Sequence, residues 1–226
     1  MTEKLYYYPE IFSVQSEQAA REIILTNEGP GADMQTRWAK ETPYIVTLLR
    51  GNLAPGPDDL ILDYGCGIGR LAKELIGTYG CHVIGVDISP EMRKLRLDYV
   101  GSPRFTAVSP EMLDSMTDAG LRVSGAFCIW VLQHCFAPAQ DIARIKNTLR
   151  DGGPFFVVNM PKRAIPVRQE TAQGDTKSSV FGWSTDNINV RDLLAADFTV
   201  AAAGDIDTAI IPNPADAGAY WVKLMK

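Results

Sequence analysis

The chain has 226 residues, 46% of them hydrophobic and 22% charged, with a formal net charge of -5. This length suits one α/β domain with an appendage and allows a sizeable core. No apolar run approaches the roughly 18 residues of a membrane span, the start Met1-Thr2-Glu3-Lys4 has no secretory h-region, and the negative balance argues against nucleic acid, whose phosphates select basic surfaces.

Residues 1–54 read as a helical extension, with apolar periodicity over 17–26 and 33–49 and a break at Thr42-Pro43. Pro55-Gly56-Pro57 separates this extension from a second unit, 55–226. From residue 60 short apolar runs alternate with helical patterns, the signature of βαβ units and a mainly parallel sheet. Leu60-Ile61-Leu62 is the first strand, followed by a glycine loop and a helix over 70–76 closed by Gly77. The second strand covers 82–86. Ser89-Pro90-Glu91 then starts a helix whose Met92, Leu95 and Tyr99 share a face.

A third run spans 104–108 and a fourth 126–131, followed by a helix with Ile142, Ile145 and Leu149 on one side and a stop at Asp151-Gly152-Gly153. The fifth strand is 155–158. Residues 161–186 form a long polar connection carrying Lys162, Arg163, Arg168, Gly174, Lys177 and Gly182, either a binding loop or a mobile surface loop. A helix over 190–196, begun by Asn187 or Asn189, precedes an antiparallel pair over 198–202 and 220–224.

Asp63-Tyr64-Gly65-Cys66-Gly67-Ile68-Gly69 lies between a strand and a helix, where glycines let backbone approach a ligand closely. A dinucleotide site would follow Gly-x-Gly-x-x-Gly and place a pyrophosphate at the helix N-terminus. Here the third glycine comes one residue early, and the Asp63 carboxylate would repel that pyrophosphate while attracting an ammonium group. Asp87, at the end of the second strand and about 20 residues beyond the loop, suits ribose hydroxyls. Ile88 beside it is a candidate for packing on adenine. An Asp at a strand end also caps helices, so the two acids gain meaning as a pair.

Asp63 to Gly69 resembles motif I of class I S-adenosylmethionine-dependent methyltransferases, and Val86-Asp87 resembles the acidic motif that follows it. Residues 129–134 look like the family's segment after strand four, and Leu149-Arg150-Asp151-Gly152-Gly153 like its turn into strand five. The resemblance spans roughly 58–160. It implies a doubly wound α/β fold with a mainly parallel seven-stranded sheet, order 3-2-1-4-5-7-6, last strand antiparallel. It also implies S-adenosyl-L-methionine across the ends of the first two strands, S-adenosylhomocysteine as product, and Asp63, Gly65, Cys66, Gly67, Gly69, Asp87 and Ile88 around the cofactor. One departure concerns adenine. Where the family often has Asp after strand three, this chain has Val108-Ser109-Pro110-Glu111-Met112. Ser109, Glu111 or backbone near Met112 is the available substitute, or the segment merely starts a helix.

The methyl should face the residues after strand four. Trp130 is a candidate wall, Gln133 a candidate hydrogen-bonding group, and His134 either a general base or a structural side chain. An activated methyl donor needs no base when positioning suffices. Tyr6, Tyr7, Tyr8, Trp38, Phe181 and Trp183 are lid candidates, with helix packing as their alternative. Lys162, Arg163 and Arg168 either hold an acidic substrate or are solvated.

The sequence Ile129-Trp130-Val131-Leu132 lacks the Asn/Asp-Pro-Pro-aromatic run of adenine-amino methyltransferases, and Cys128 and Cys135 lack the Pro-Cys context of cytosine C5 enzymes. A small molecule is therefore the expected acceptor, ahead of a protein or RNA group. A non-catalytic S-adenosylmethionine-binding module and an NAD(P)-dependent oxidoreductase are the competing readings. Cys66, Cys81, Cys128 and Cys135 form no C-x-x-C pair, and His82 and His134 complete no zinc spacing. No metal is expected, and reduced thiols fit a cytoplasmic setting.

Overall fold

The computed structural model describes residues 4–28, 31–173, 176–211 and 218–226, with side chains at 4, 171–173 and 176–178 left aside. Two sheets organise these residues. The larger is built from β2 (Leu60–Tyr64), β3 (His82–Val86), β4 (Phe105–Val108), β5 (Gly125–Ile129), β6 (Pro154–Asn159), β9 (Thr199–Asp205) and β10 (Tyr220–Met225). Its order is β4-β3-β2-β5-β6-β10-β9, and β10 runs antiparallel to both neighbours. This is the order 3-2-1-4-5-7-6 that the motif resemblance implies.

Alternation along the strands explains the layers, because successive side chains leave opposite faces. Leu62, Ile84, Ala126, Cys128, Phe155 and Val157 point to one face. There they meet α5 (Pro110–Asp118), α6 (Pro138–Thr148) and α7 (Val190–Asp197) through Leu113, Ile142, Ile145 and Leu194. Ile61, Val83, Phe127, Ile129, Phe156 and Val158 point to the other. That side carries α2 (Met34–Leu53) and α3 (Arg70–Tyr79), whose Ile45, Leu49, Leu71 and Leu75 complete the second core. With both faces covered, the central strands read as continuous apolar runs. Each fully buried Leu, Ile or Phe contributes about 1.5–3 kcal/mol relative to exposure.

Four local expectations change. The helix after the glycine loop runs past Gly77 to Tyr79 and stops at Gly80, which takes the left-handed conformation (φ 69°) that closes helices. Helix α2 continues through Pro43. Ala39 and Pro43 are both exposed, so the carbonyl deprived of its partner stays on the solvent side. The N-terminal extension is not wholly helical: besides α1 (Glu17–Ile24) it holds a strand, β1 (Lys4–Tyr7), and a 3-10 turn, Pro9–Phe12.

The long connection carries two strands. It forms β7 (Ile165–Gln173) and β8 (Thr176–Ser184), which join β1 in a three-stranded antiparallel sheet, order β1-β7-β8. Of the residues singled out there, Gly174 lies outside the described residues, as does the side chain of Lys177. Helix starts follow expectation. Ser89 accepts from Met92 N–H ahead of α4 (Pro90–Val100), and of the two asparagines it is Asn189 that caps α7. Among the described residues no helix is long and apolar enough to cross a membrane.

Candidate functional site

The glycine loop leaves β2 at its carboxyl end and crosses to β3. Gly65 and Cys66 N–H donate to the Val86 carbonyl at 2.7 and 2.9 Å, which holds the turn against the neighbouring strand. Gly65 has φ 80°, and a Cβ there would overlap the Val131 side chain after β5. Gly67 has φ 53°, and its missing side chain admits Ile24 of α1, whose Cδ1 lies 2.8 Å from where a Cβ would be. These close approaches from two directions explain why the loop needs glycine at both positions. Gly69 N–H donates to the Cys66 carbonyl at 2.8 Å as α3 begins.

Asp87 locks this turn. One carboxylate oxygen accepts Gly67 N–H at 2.8 Å and the other accepts Ser89 N–H at 2.9 Å. Burial raises its pKa from the usual carboxylate range, against the lowering effect of those two donors and Arg93. Asp63 is buried at 4% exposure. Burial pushes its pKa up to about 8, the Asp87 charge adds to the rise, and Arg70 offsets only part of it. A carboxyl group held this far above its ordinary value favours its neutral form near pH 7. Cys66 is buried between these acids, and burial, Asp63 and Asp87 raise its thiol pKa well above normal, so it is an inert wall rather than a nucleophile.

Ile88 is 45% exposed just beyond Asp87, and Met112 is 54% exposed at the start of α5. Asp87 N–H donates to the Val108 carbonyl at 3.2 Å, which brings the ends of β3 and β4 together. Ser109 is occupied as the cap of α5, its Oγ accepting Met112 N–H at 3.3 Å, and it also lowers the Glu111 pKa by a side-chain hydrogen bond. The segment therefore starts helix α5.

Trp130, directly after β5, has φ 62°, which costs a residue with a side chain about 1–2 kcal/mol. Its N–H donates to the Val158 carbonyl at 2.9 Å, while its buried indole Nε1 has no hydrogen-bond partner among the described residues.

His134 lies further along. Its Nδ1 is 2.6 Å from the Ala164 carbonyl, so that nitrogen carries the proton. Gln133 Oε1 accepts Met160 N–H, which aims the Gln133 amide nitrogen at His134 Nε2, 3.3 Å away. Burial lowers the His134 pKa. A neutral ring with both nitrogens engaged results. It packs beside Phe12 and Trp183, with centroids 6.0 and 5.2 Å away.

The lid candidates divide. Tyr8 stacks on Phe181 at 4.6 Å, and Trp183 meets Phe12 and His134. Tyr7 instead packs on Phe136, and its pKa is pushed up to about 12, by burial first and then by Cys135, Asp141 and Glu10. Trp38 is elsewhere, packed on Tyr99 under Arg21 and Arg70. Arg163 is buried, pairs with Asp186 and donates to the Cys135 carbonyl, so it fastens the β6 exit to the β5 exit and offers no charge to a substrate.

Sequence reasoning missed the buried polar group on α2. Arg37 pairs with the fully buried Glu41 at 2.6 Å, and Arg70, facing Asp63, donates to Thr42 at 3.2 Å. The spacing of Arg37 and Glu41 was a visible helical signal; their burial follows only from α2 lying on the sheet. Gly85 was also missed. A Cβ there would come within 2.6 Å of Cys66 Sγ, so β3 makes room for the loop. A cleft of about 640 Å³ is lined by Asp114, Arg122, Arg144 and Lys226, beside α5 and α6. Its lining includes neither the loop glycines nor Asp63 or Asp87, although Arg144 Nη1 donates to the Tyr64 hydroxyl at 2.9 Å.

Residues 62–157 match the model of a family described as a methyltransferase domain. A tRNA U34 carboxymethyltransferase of Cellvibrio japonicus is 27% identical over 150 residues, covering 63% of this chain and 46% of that protein. An N-demethylindolmycin N-methyltransferase of Streptomyces griseus is 29% identical over 126 residues, covering 54% and 52%. The chain thus spans about half the length of these curated relatives. Among solved structures, magnesium protoporphyrin IX methyltransferase of Synechocystis PCC 6803 with bound SAH superposes with a TM-score of 0.61 at 17% identity, covering 96% of this chain and 97% of that one. The [4+2]-cyclase SpnF gives 0.60 at 16% identity, covering 93% and 94%. Both share the fold.

Proposed function

From a chain that carries a class I S-adenosylmethionine-dependent methyltransferase domain, we propose a cytoplasmic enzyme that methylates a small molecule. The observation that carries this reading is Asp63: buried, with a pKa near 8, beside a loop clamped by Asp87. The donor set fits the cofactor. Asp63 would take the ammonium of the methionine part, Asp87 the ribose hydroxyls, and Ile88 and Met112 the adenine faces, with Gly65, Gly67 and Gly69 allowing close backbone approach. Bound there, S-adenosylmethionine supplies a methyl group already activated by its sulfonium, and S-adenosylhomocysteine leaves as product.

The chain's own residues supply position and dryness. Trp130 is held in its strained conformation as a wall at the end of β5. His134 serves as a second wall, because its neutral ring is already committed at both nitrogens. Transfer in this site relies on orientation rather than on a base. The 1–54 segment contributes as a cover: Ile24 seals the loop at Gly67, and Phe12 packs beside His134.

Relatives named for tRNA and for small molecules make the acceptor the point to test. Purified protein with methyl-labelled S-adenosylmethionine is offered pooled small metabolites or total tRNA. Label in the metabolite pool supports the proposal; label in tRNA alone replaces the acceptor class. Cofactor binding without transfer to either supports the competing reading of a sensor module.

A further inference from the structure

We infer that the acceptor is a planar aromatic molecule bearing an acidic group, held on the β1-β7-β8 sheet; the inference rests on the methyltransferase reading above. Cross-strand register carries it. Tyr6, Arg168 and Phe181 stand directly opposite one another on β1, β7 and β8. Residues paired in this way share a face. Trp183 lies two residues along β8, about 6.8 Å further on the same face, and reaches His134 and Phe12. Tyr8 stacks on Phe181 and adds a further ring to the row. This row runs from the segment after β5, where the methyl is delivered, out across the small sheet.

Beyond these ring contacts the row keeps exposed area. Phe181 and Trp183 are each 53% exposed and Tyr6 is 39% exposed. Large apolar groups gathered at this exposure on one face mark a binding surface. Aromatic faces favour a flat ring in offset or edge contact.

Arg168 supplies the charge in the row. Its Nε and Nη2 bond Ser179 Oγ at 3.1 and 2.8 Å, which holds the guanidinium across β8. Glu170, on the same face, lies 3.4 Å from Nη2, and both side chains are more than 40% exposed. An exposed pair of this length contributes little and yields readily to a better partner. A carboxylate or phenolate on a stacked ring offers the fork-shaped geometry that guanidinium prefers. A cationic acceptor would meet repulsion from Arg168 and would have to compete with it for Glu170. Arg163 and Lys162 do not share this row: the first is buried against Asp186, the second is exposed before β7 begins, while the Lys177 side chain lies outside the described residues.

The test uses the full chain with and without S-adenosylhomocysteine, titrated calorimetrically with three probes. These are 4-hydroxybenzoate, 4-hydroxybenzyl alcohol (ring without acid) and cyclohexanecarboxylate (acid without aromatic ring). The expected order places 4-hydroxybenzoate roughly ten-fold tighter than either. Arg168→Gln should remove that advantage over the alcohol, and Phe181→Ala should weaken both aromatic probes. Trp183→Ala should do the same, and Phe181→Ala guards against a folding defect where Trp183 is packed. All three variants should keep the wild-type affinity for S-adenosylhomocysteine. Equal binding of the three probes, binding of none, or an unchanged order in Arg168→Gln overturns the inference. A wild-type protein that binds 4-hydroxybenzoate in the expected order but not S-adenosylhomocysteine overturns the cofactor reading and keeps the aromatic-acid site.

Discussion

The Gly67 backbone N–H donates to the Asp87 carboxylate at 2.8 Å, joining the cofactor loop to the end of the neighbouring strand. This bond keeps Asp87 close to Asp63, and the second charge helps raise the Asp63 pKa to about 8. With Asp87 clamped by backbone donors, its charge disfavours ionisation of Asp63.

Substitution at Asp63 should read this out. Asp63→Asn is expected to weaken S-adenosylhomocysteine binding by about 1–3 kcal/mol, the worth of a hydrogen bond to a charged group. Calorimetric titration of the folded variant checks it. Unchanged affinity would remove Asp63 from the site.

Proton linkage gives a second reading of the same group. Its folded pKa lies near 8, above the roughly 3.9 of an unfolded Asp. Stability of the unliganded chain should therefore fall as pH rises across that window, since the unfolded state binds fewer protons there. An ammonium beside Asp63 favours the ionised form, so cofactor binding should release a proton near neutrality and tighten as pH rises toward 8. Titrations in two buffers of different ionisation enthalpy measure that proton. Its absence in wild type, or its persistence in Asp63→Asn, contradicts the assignment.

The reach of the sequence differed by element. Central strands were legible because burial on both faces makes them continuous apolar runs, and the loop because glycine between strand and helix has few other uses. Strand β1 was not, since Lys4 to Tyr7 is short and gains its partner only from β7. In β7 and β8 the alternation is blurred by apolar and polar residues on both faces; the short signal was Gly174-Asp175, a two-residue sequence favoured in hairpins. Among the candidate site residues, Asp63 and Asp87 were proposed from motif spacing, whereas Glu41, Arg37 and Gly85 depend on what packs against them. The positive φ of Trp130 and the ring partners of His134 are features that no spacing encodes.

Gly65→Ala should destabilise the fold by at least about 1–2 kcal/mol from the left-handed backbone alone, with the overlap on Val131 added. Pairing it with Val131→Ala should recover the overlap component but not the backbone cost. Denaturant midpoints of the two variants measure this. A single variant as stable as wild type would contradict the loop geometry.

Gly77 offers the opposite case. It lies inside α3, and a Cβ there meets nothing within 4 Å. Gly77→Ala should stabilise by about 0.5–1 kcal/mol through helix propensity and the unfolded chain. Destabilisation would show that the helix ends where Gly77 stands.

His134 carries a pH signature. Burial lowers its folded pKa below the ordinary value, so the stability it supports is present above about pH 6.5 and lost as pH falls. His134→Phe keeps the ring contacts with Phe12 and Trp183 and removes the titration. Its unfolding free energy should drop less between pH 7.5 and 5.5 than that of wild type. Equal losses would place the ring in a solvated setting.

The most direct test of the central claim is calorimetric titration of the whole chain with S-adenosylhomocysteine, alongside NAD. The site described should bind S-adenosylhomocysteine at micromolar concentration and leave NAD unbound. Binding of NAD alone, or of neither ligand by folded protein, would contradict it.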